Sequence, residues 1–168
     1  MIQQRPGDVL EIQYESGWYY FVVVTKVFRF GGNIVYAFHG NGARNVDFSA
    51  STEKAGFNIC TDLLLPKKED AVERIGKVTE PEEYLVSNYV KSCHERRPGY
   101  KAKEWWLSTI SEPDKPAKRM KYLSAKQRLA MDSGVFSFDL AVNKIKESYT
   151  PDKNQFISRW AGLFGVFS

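Results

Sequence analysis

The sequence predicts an α+β protein in which an N-terminal, strongly bent antiparallel sheet or small barrel has C-terminal helices packed on it. Three observations point there. Up to about residue 110 the chain is a series of short β-branched and aromatic runs separated by Gly and Pro turns. After Ser124 the apolar spacing changes from strand alternation to the helical period. The length of 168 residues suits a single domain, 1–168, with a sheet-rich part at 1–110 and a helical part at 120–168.

Pro6-Gly7-Asp8 is a turn, after which Val9, Glu11 and Gln13 alternate with Leu10, Ile12 and Tyr14, as a half-buried strand requires. Glu15-Ser16-Gly17 turns the chain again. From Trp18 to Phe30 nearly every residue is aromatic or β-branched and both alternating sets are apolar, so this strand is expected to be covered on two faces. Gly31-Gly32 suits a two-residue hairpin, whose favoured turns need positive φ. The return strand, Ile34 to His39, is expected to point Ile34, Tyr36 and Phe38 inward, and Gly40-Asn41-Gly42 closes it. Beyond the polar stretch 43–54, short strands are predicted at Phe57–Cys60 and Ile75–Val78, flanking Leu63-Leu64-Leu65-Pro66, with one or two helical turns over Lys67–Arg74. Tyr84-Leu85-Val86 and Trp105–Ile110 are further predicted strands, separated by a polar segment from Lys91 to Lys103.

In the last third, Ser124-Ala125-Lys126-Gln127 is a capping box, in which a hydroxyl and an amide each satisfy a backbone N–H at a helix start. The helix is expected to run to Met131 and stop at Gly134. Phe138, Ala141, Val142, Ile145 and Tyr149 make one face of an amphipathic helix opposite Asn143, Lys144 and Lys146. Thr150-Pro151-Asp152 restarts the chain with a cap residue and a first-turn proline, and Phe156, Trp160, Leu163, Phe164 and Phe167 fall near one helical face.

Composition narrows the function classes. A hydrophobic fraction of 43% with 14% aromatic residues excludes a disordered tail or low-complexity protein. Two cysteines, Cys60 and Cys93, make neither a disulfide framework nor a four-thiolate zinc site, so a reducing compartment is the simplest reading. With no apolar run after Met1 and none approaching about 18 residues anywhere, neither signal peptide nor membrane span is expected, and the expected location is cytoplasmic. The net charge of +4 is uneven. Residues 1–90 carry nine Lys/Arg against twelve Asp/Glu, a net of −3, whereas residues 91–168 carry fifteen against eight, a net of +7.

No motif points to catalysis or to a cofactor. His39, His94, Cys60 and Cys93 lack metal-ligand spacing, so no metal is expected. Adjacent Cys93-His94 resembles a nucleophile and base only by proximity in sequence, and strand neighbours point apart. The glycine pairs precede no Lys-Ser/Thr, which a phosphate-cradling loop needs. Glu69-Asp70 and Glu82-Glu83 stand in polar stretches where nothing separates two carboxylate pKa values. Basic and aromatic residues interleave from Arg96 to Tyr122, including Trp105 and Trp106, which is how small barrels hold single strands. The competing reading is core packing beside a solvated or protein-binding face.

One resemblance adds a function. Gly7-Asp8-Val9-Leu10-Glu11-Ile12 leads through a short Gly turn into a long aromatic strand. Ile75-Gly76 then follows a Leu-rich segment, and the Trp105-Trp106 strand precedes a closing Leu129–Ile145 region. In this order, over most of residues 5–148, these motifs resemble the immunity protein 26 family of bacterial polymorphic toxin systems. The resemblance implies a non-enzymatic cytoplasmic inhibitor, made beside a toxin, that binds the cognate toxin domain and occludes its active site without a cofactor. The motifs are fold residues and carry over no toxin-facing residue; the segment from Thr150 to Ser168 departs from the family pattern.

Charge then supplies two candidate binding sets. Against a basic toxin site, such as a nuclease's, the acidic set Glu11, Glu15, Asp47, Glu53, Glu69, Asp70 and Glu73 fits; against an acidic one, Arg96, Arg97, Lys118, Arg119 and Lys121 fit. The alternative function is a nucleic-acid-binding small β-barrel protein using the basic second half, with nucleic acid ranked below a protein partner and membrane not expected.

Overall fold

Among the described residues the protein is mostly β, with two sheets and two short helices. A computed structural model describes residues 4–27, 32–53, 55–61, 71–93, 100–112, 115–133 and 137–154. They divide into two compact units, one drawn from residues 1–85 and 134–149, the other from 86–133 and 150–168.

The described residues of the first unit form five antiparallel strands: β1 (Asp8–Tyr14), β2 (Gly17–Val27), β3 (Gly32–Phe38), β4 (Gly56–Thr61) and β5 (Ala71–Lys77). Their order is β4-β3-β2-β1-β5, an open sheet, and no barrel closes among the described residues. Gly7 sets the start of β1. Its N–H donates to the Val23 carbonyl and its carbonyl accepts from Val78, both at 2.8 Å, with φ at +89°. A Cβ there would lie 2.6 Å from the Val78 carbonyl oxygen, so only glycine lets the three segments meet.

Both faces of the sheet are buried over β1 to β4, as the apolar run after Trp18 predicts, whereas β5 is largely exposed. On one face Leu10, Ile12, Tyr14, Phe21, Val23, Val35, Ala37, Phe57 and Ile59 pack with Ala141, Val142 and Ile145. The last three lie on α2 (Phe138–Lys146), whose first turn is capped by the Ser137 hydroxyl accepting from the Leu140 N–H. The expected apolar helix face is thus observed, with Phe138 edge-on to Tyr14 and Tyr149 edge-on to Phe57.

The opposite face carries Tyr20, Tyr36 and Phe38, covered by Phe48 and by Tyr84 of a 3₁₀ turn, Pro81–Tyr84. The set expected to point inward from β3, Ile34, Tyr36 and Phe38, is buried, and so is the alternate set. Val35 and Ala37 enter the main core, and Ile34, Tyr36 and Phe38 are buried on the other face. With both sides covered, alternation cannot tell which parity meets the helix.

Two further expectations fail in this unit. Residues 71–74, predicted as helical, belong to β5, because β1 offers them an unpaired backbone edge, Ile12 opposite Val72 and Gln13 opposite Ala71. Tyr84-Leu85-Val86 is not a strand: Pro81 starts the 3₁₀ turn, and the next strand begins at Tyr89. The Gly31 half of the hairpin turn, Leu63–Pro66 and Lys67–Asp70 lie outside the described residues.

The second unit has β6 (Tyr89–Ser92), β7 (Trp105–Thr109), β8 (Lys118–Met120) and β9 (Met131–Asp132) in the order β8-β7-β6-β9. Trp105, Leu107, Cys93, Leu123 and Ala130 form its core. The predicted capping box is complete in α1 (Ala125–Arg128): Ser124 N–H donates to Gln127 Oε1 at 2.8 Å and Gln127 N–H to Ser124 Oγ at 3.4 Å. The helix stops at Arg128 rather than Met131, because Met131 pairs in parallel with Val90 as part of β9. β9 thus stands between α1 and α2 in the chain. Pro151–Lys153 is a 3₁₀ turn, and Phe156 to Phe167 lie outside the described residues. No helix among the described residues is long and apolar enough to cross a membrane.

Candidate functional site

In the first unit, the loop from Gly40 to Glu53 folds over the start of β2 and the end of β3. Trp18 N–H donates to the Gly42 carbonyl at 2.9 Å, and Phe48 stacks on Tyr20 with ring centroids 4.0 Å apart. Beneath this loop lies a cavity of about 220 Å³ walled by Trp18, Tyr20, Phe38 and Phe48, with His39, Arg44 and Glu53 among its polar residues.

Each polar group at this site has a physical assignment. Glu11 is 3% exposed, and Arg44 grips both its carboxylate oxygens, Nη2 to Oε2 at 2.8 Å and Nε to Oε1 at 3.3 Å. The Tyr20 hydroxyl donates to Glu11 Oε1 at 3.0 Å and accepts from the Asn45 N–H at 2.7 Å. Burial raises the Tyr20 pKa; the Asn45 backbone bond opposes the rise and Glu11 adds to it. The hydrogen bond to Glu11 raises that of Arg44, whose guanidinium lies 4.1 Å from the Trp18 ring centroid. The Tyr149 carbonyl can only accept, so His39 Nε2 carries the proton of their 2.9 Å bond. Glu53 accepts from the Ala55 N–H at 3.3 Å, and no cation pairs with it among the described residues.

The acidic candidates do not form one surface. Strand alternation places Glu11 on a solvent-facing side, and it is instead internal, because Arg44 and Tyr20 close over it. Glu73 on β5 stands directly opposite Glu11 in register and is exposed. Glu15 is exposed in the β1–β2 turn with φ at 52°, and Asp47 is exposed in the loop, its N–H donating to Asn45 Oδ1. Glu69, Asp70, Arg96 and Arg97 lie outside the described residues.

The basic candidates belong to the second unit. Lys118 and Arg119 are exposed on β8, and Lys121 follows, with its ammonium 5.6 Å from the Tyr122 ring centroid. Arg119 forks onto Glu104, with Nε to Oε2 at 2.9 Å. Charge separates by unit: the first unit's segments contain eleven Lys/Arg and fourteen Asp/Glu, the second's thirteen and six, nets of −3 and +7.

The buried cation of the second unit had no signal in the sequence. Lys91, at the head of the predicted polar segment, lies in β6 with its ammonium fully buried. Nζ donates to the carbonyls of Arg128, Ala130 and Pro151 at 2.9, 2.5 and 3.0 Å and pairs with Asp132 Oδ1 at 3.1 Å. Asn154 Nδ2 holds the same carboxylate oxygen at 2.8 Å. This is a structural staple drawing residues 128–132 and 151–154 onto β6.

Cys93 is buried in the second core, and His94 lies outside the described residues. Burial pushes the Cys60 thiol up to about 11, far from the range of a nucleophilic thiolate. Among the described residues no group of three or more His, Cys, Asp or Glu is placed to hold a metal ion. No family model, no curated protein and no solved structure matches the chain.

Proposed function

We propose that the chain is a cytoplasmic immunity protein that binds a cognate bacterial toxin domain and occludes its active site. The opposite net charges of the two compact units support this reading, because a net field of one sign steers association with a partner of the other. The buried charged groups among the described residues are paired internally, Glu11 with Arg44, Asp8 with Arg74, and Lys91 with carbonyls and Asp132. Recognition is then a property of the exposed charges. A nuclease-type toxin with a basic site would face the acidic first unit through Glu15, Asp47, Glu53 and Glu73.

Charge reversal tests it. Replacing Glu15, Asp47 and Glu73 by Lys is expected to lower the association rate with the toxin domain at least about tenfold at low salt, with little effect above about 0.5 M salt. Reversing Lys118, Arg119 and Lys121 is expected to leave the rate within about twofold. No change from either set would remove the electrostatic argument.

A second reading rests on one observation, the basic, aromatic surface of the second unit, where Tyr100 and Tyr122 are each 59% exposed near Lys101, Lys103 and Lys121 in sequence. It makes the chain a single-stranded nucleic-acid binder. Such binding must weaken steeply as salt rises, and no binding of mixed oligonucleotides at low salt would end it.

A further inference from the structure

We infer that the cavity under the Gly40–Glu53 loop receives one cationic side chain, a Lys or Arg, of the protein partner. The identification of that partner rests on the immunity reading; the chemistry of the cavity does not. Size comes first. At about 220 Å³ the cavity falls below the roughly 300–1,000 Å³ of pockets that enclose drug-sized ligands, and suits a single side chain.

Its walls come next. Trp18, Tyr20, Phe38 and Phe48 line it with aromatic surface, Tyr20 and Phe48 each having one ring face taken by their mutual stack, and an aromatic wall attracts a cation. The Trp18 ring already carries a guanidinium, that of Arg44, at 4.1 Å.

The sign of the charge decides between a cation and an anion. Arg44 contributes little net field inside, because both oxygens of Glu11 neutralise it. Glu53 is the carboxylate lining the cavity that no cation offsets among the described residues. The unit around it is net acidic. An incoming ammonium or guanidinium therefore gains a charge-assisted hydrogen bond and an aromatic wall, whereas a carboxylate meets Glu53.

The experiment is an NMR titration of the full chain, following the Trp18 indole and the Tyr20 and Phe48 rings. The probes are N-acetyl-arginine methylamide, its neutral isostere N-acetyl-citrulline methylamide, N-acetyl-glutamate methylamide and N-acetyl-tyrosine methylamide. Arginine is expected to shift these resonances at millimolar concentration and citrulline about tenfold more weakly, with the difference abolished in Glu53→Gln. Equal response to citrulline, or a stronger response to glutamate or tyrosine, overturns the cation assignment. With the toxin domain in hand, Glu53→Gln is expected to weaken the complex about tenfold. A toxin that binds the chain but is indifferent to Glu53→Gln and to Phe48→Ala overturns the docking role, even if the arginine probe binds. A positive arginine titration with no toxin complex at all would instead count against the immunity reading alone.

Discussion

Replacing Lys91 by Met keeps the unbranched side chain out to the ε position and removes the ammonium with its charge and donors. Three backbone carbonyls and the Asp132 carboxylate then lose their shared partner in an interior where the Lys91 ammonium has no exposure. Each buried acceptor left unpaired costs about 1–3 kcal/mol taken alone, but these losses are not additive because all four share one donor group. Breaking a buried ion pair by deleting one partner costs about 3–5 kcal/mol. Asp132 keeps Asn154 and is 15% exposed, which softens its share. We expect a loss of about 4 kcal/mol, against a total of about 5–15 kcal/mol for a typical domain. Urea unfolding gives the magnitude, and hydrogen exchange gives the place. Amides of Tyr89–Ser92 and of Ser133, whose N–H donates to the Lys91 carbonyl, should exchange about a thousandfold faster. Adding Asp132→Leu should recover about 1–2 kcal/mol by removing the stranded carboxylate. A loss under about 1 kcal/mol with unchanged protection would refute the staple.

Two further outcomes follow from the first unit. Ile145→Ala opens a cavity between α2 and the sheet, where Ile145 is 1% exposed, and should cost about 2–5 kcal/mol by chemical denaturation. Cys60 binds its proton more tightly when folded than its ordinary value of 9.0 allows, so its contribution to stability is complete below pH 9 and lost as pH rises towards about 11. The slope is at most about 1.4 kcal/mol per pH unit. The fall in stability between pH 9 and 11 should accordingly be shallower in Cys60→Ala, and identical slopes would show that the thiol does not titrate in this range.

What the sequence revealed of this molecule was its local chemistry. The capping box at Ser124 and Gln127, the buried stripe of α2 and the doubly covered strand β2 each depend on residues a few positions apart, so spacing displays them. Features made by distant segments were not legible. β5 is a strand because β1, about 60 residues earlier, leaves an edge free, and its own spacing of Ala71 and Ile75 fits a helix as well. Glu11 reads as solvent-facing by alternation until Arg44, 33 residues away, closes over it. Lys91 begins a polar run in the sequence, yet its partners are mostly main-chain carbonyls, which any residue supplies. The cavity at Trp18 likewise depends on a polar loop, in which Phe48 is the one hint that the segment folds back.

The measurement that bears most directly on the proposed function is co-expression of this chain with the toxin domain that the proposal places beside its gene, followed by size-exclusion chromatography of the purified pair. Protection of the host cells together with a stable complex is the expected result. Undiminished toxicity with no complex at micromolar concentration would contradict it.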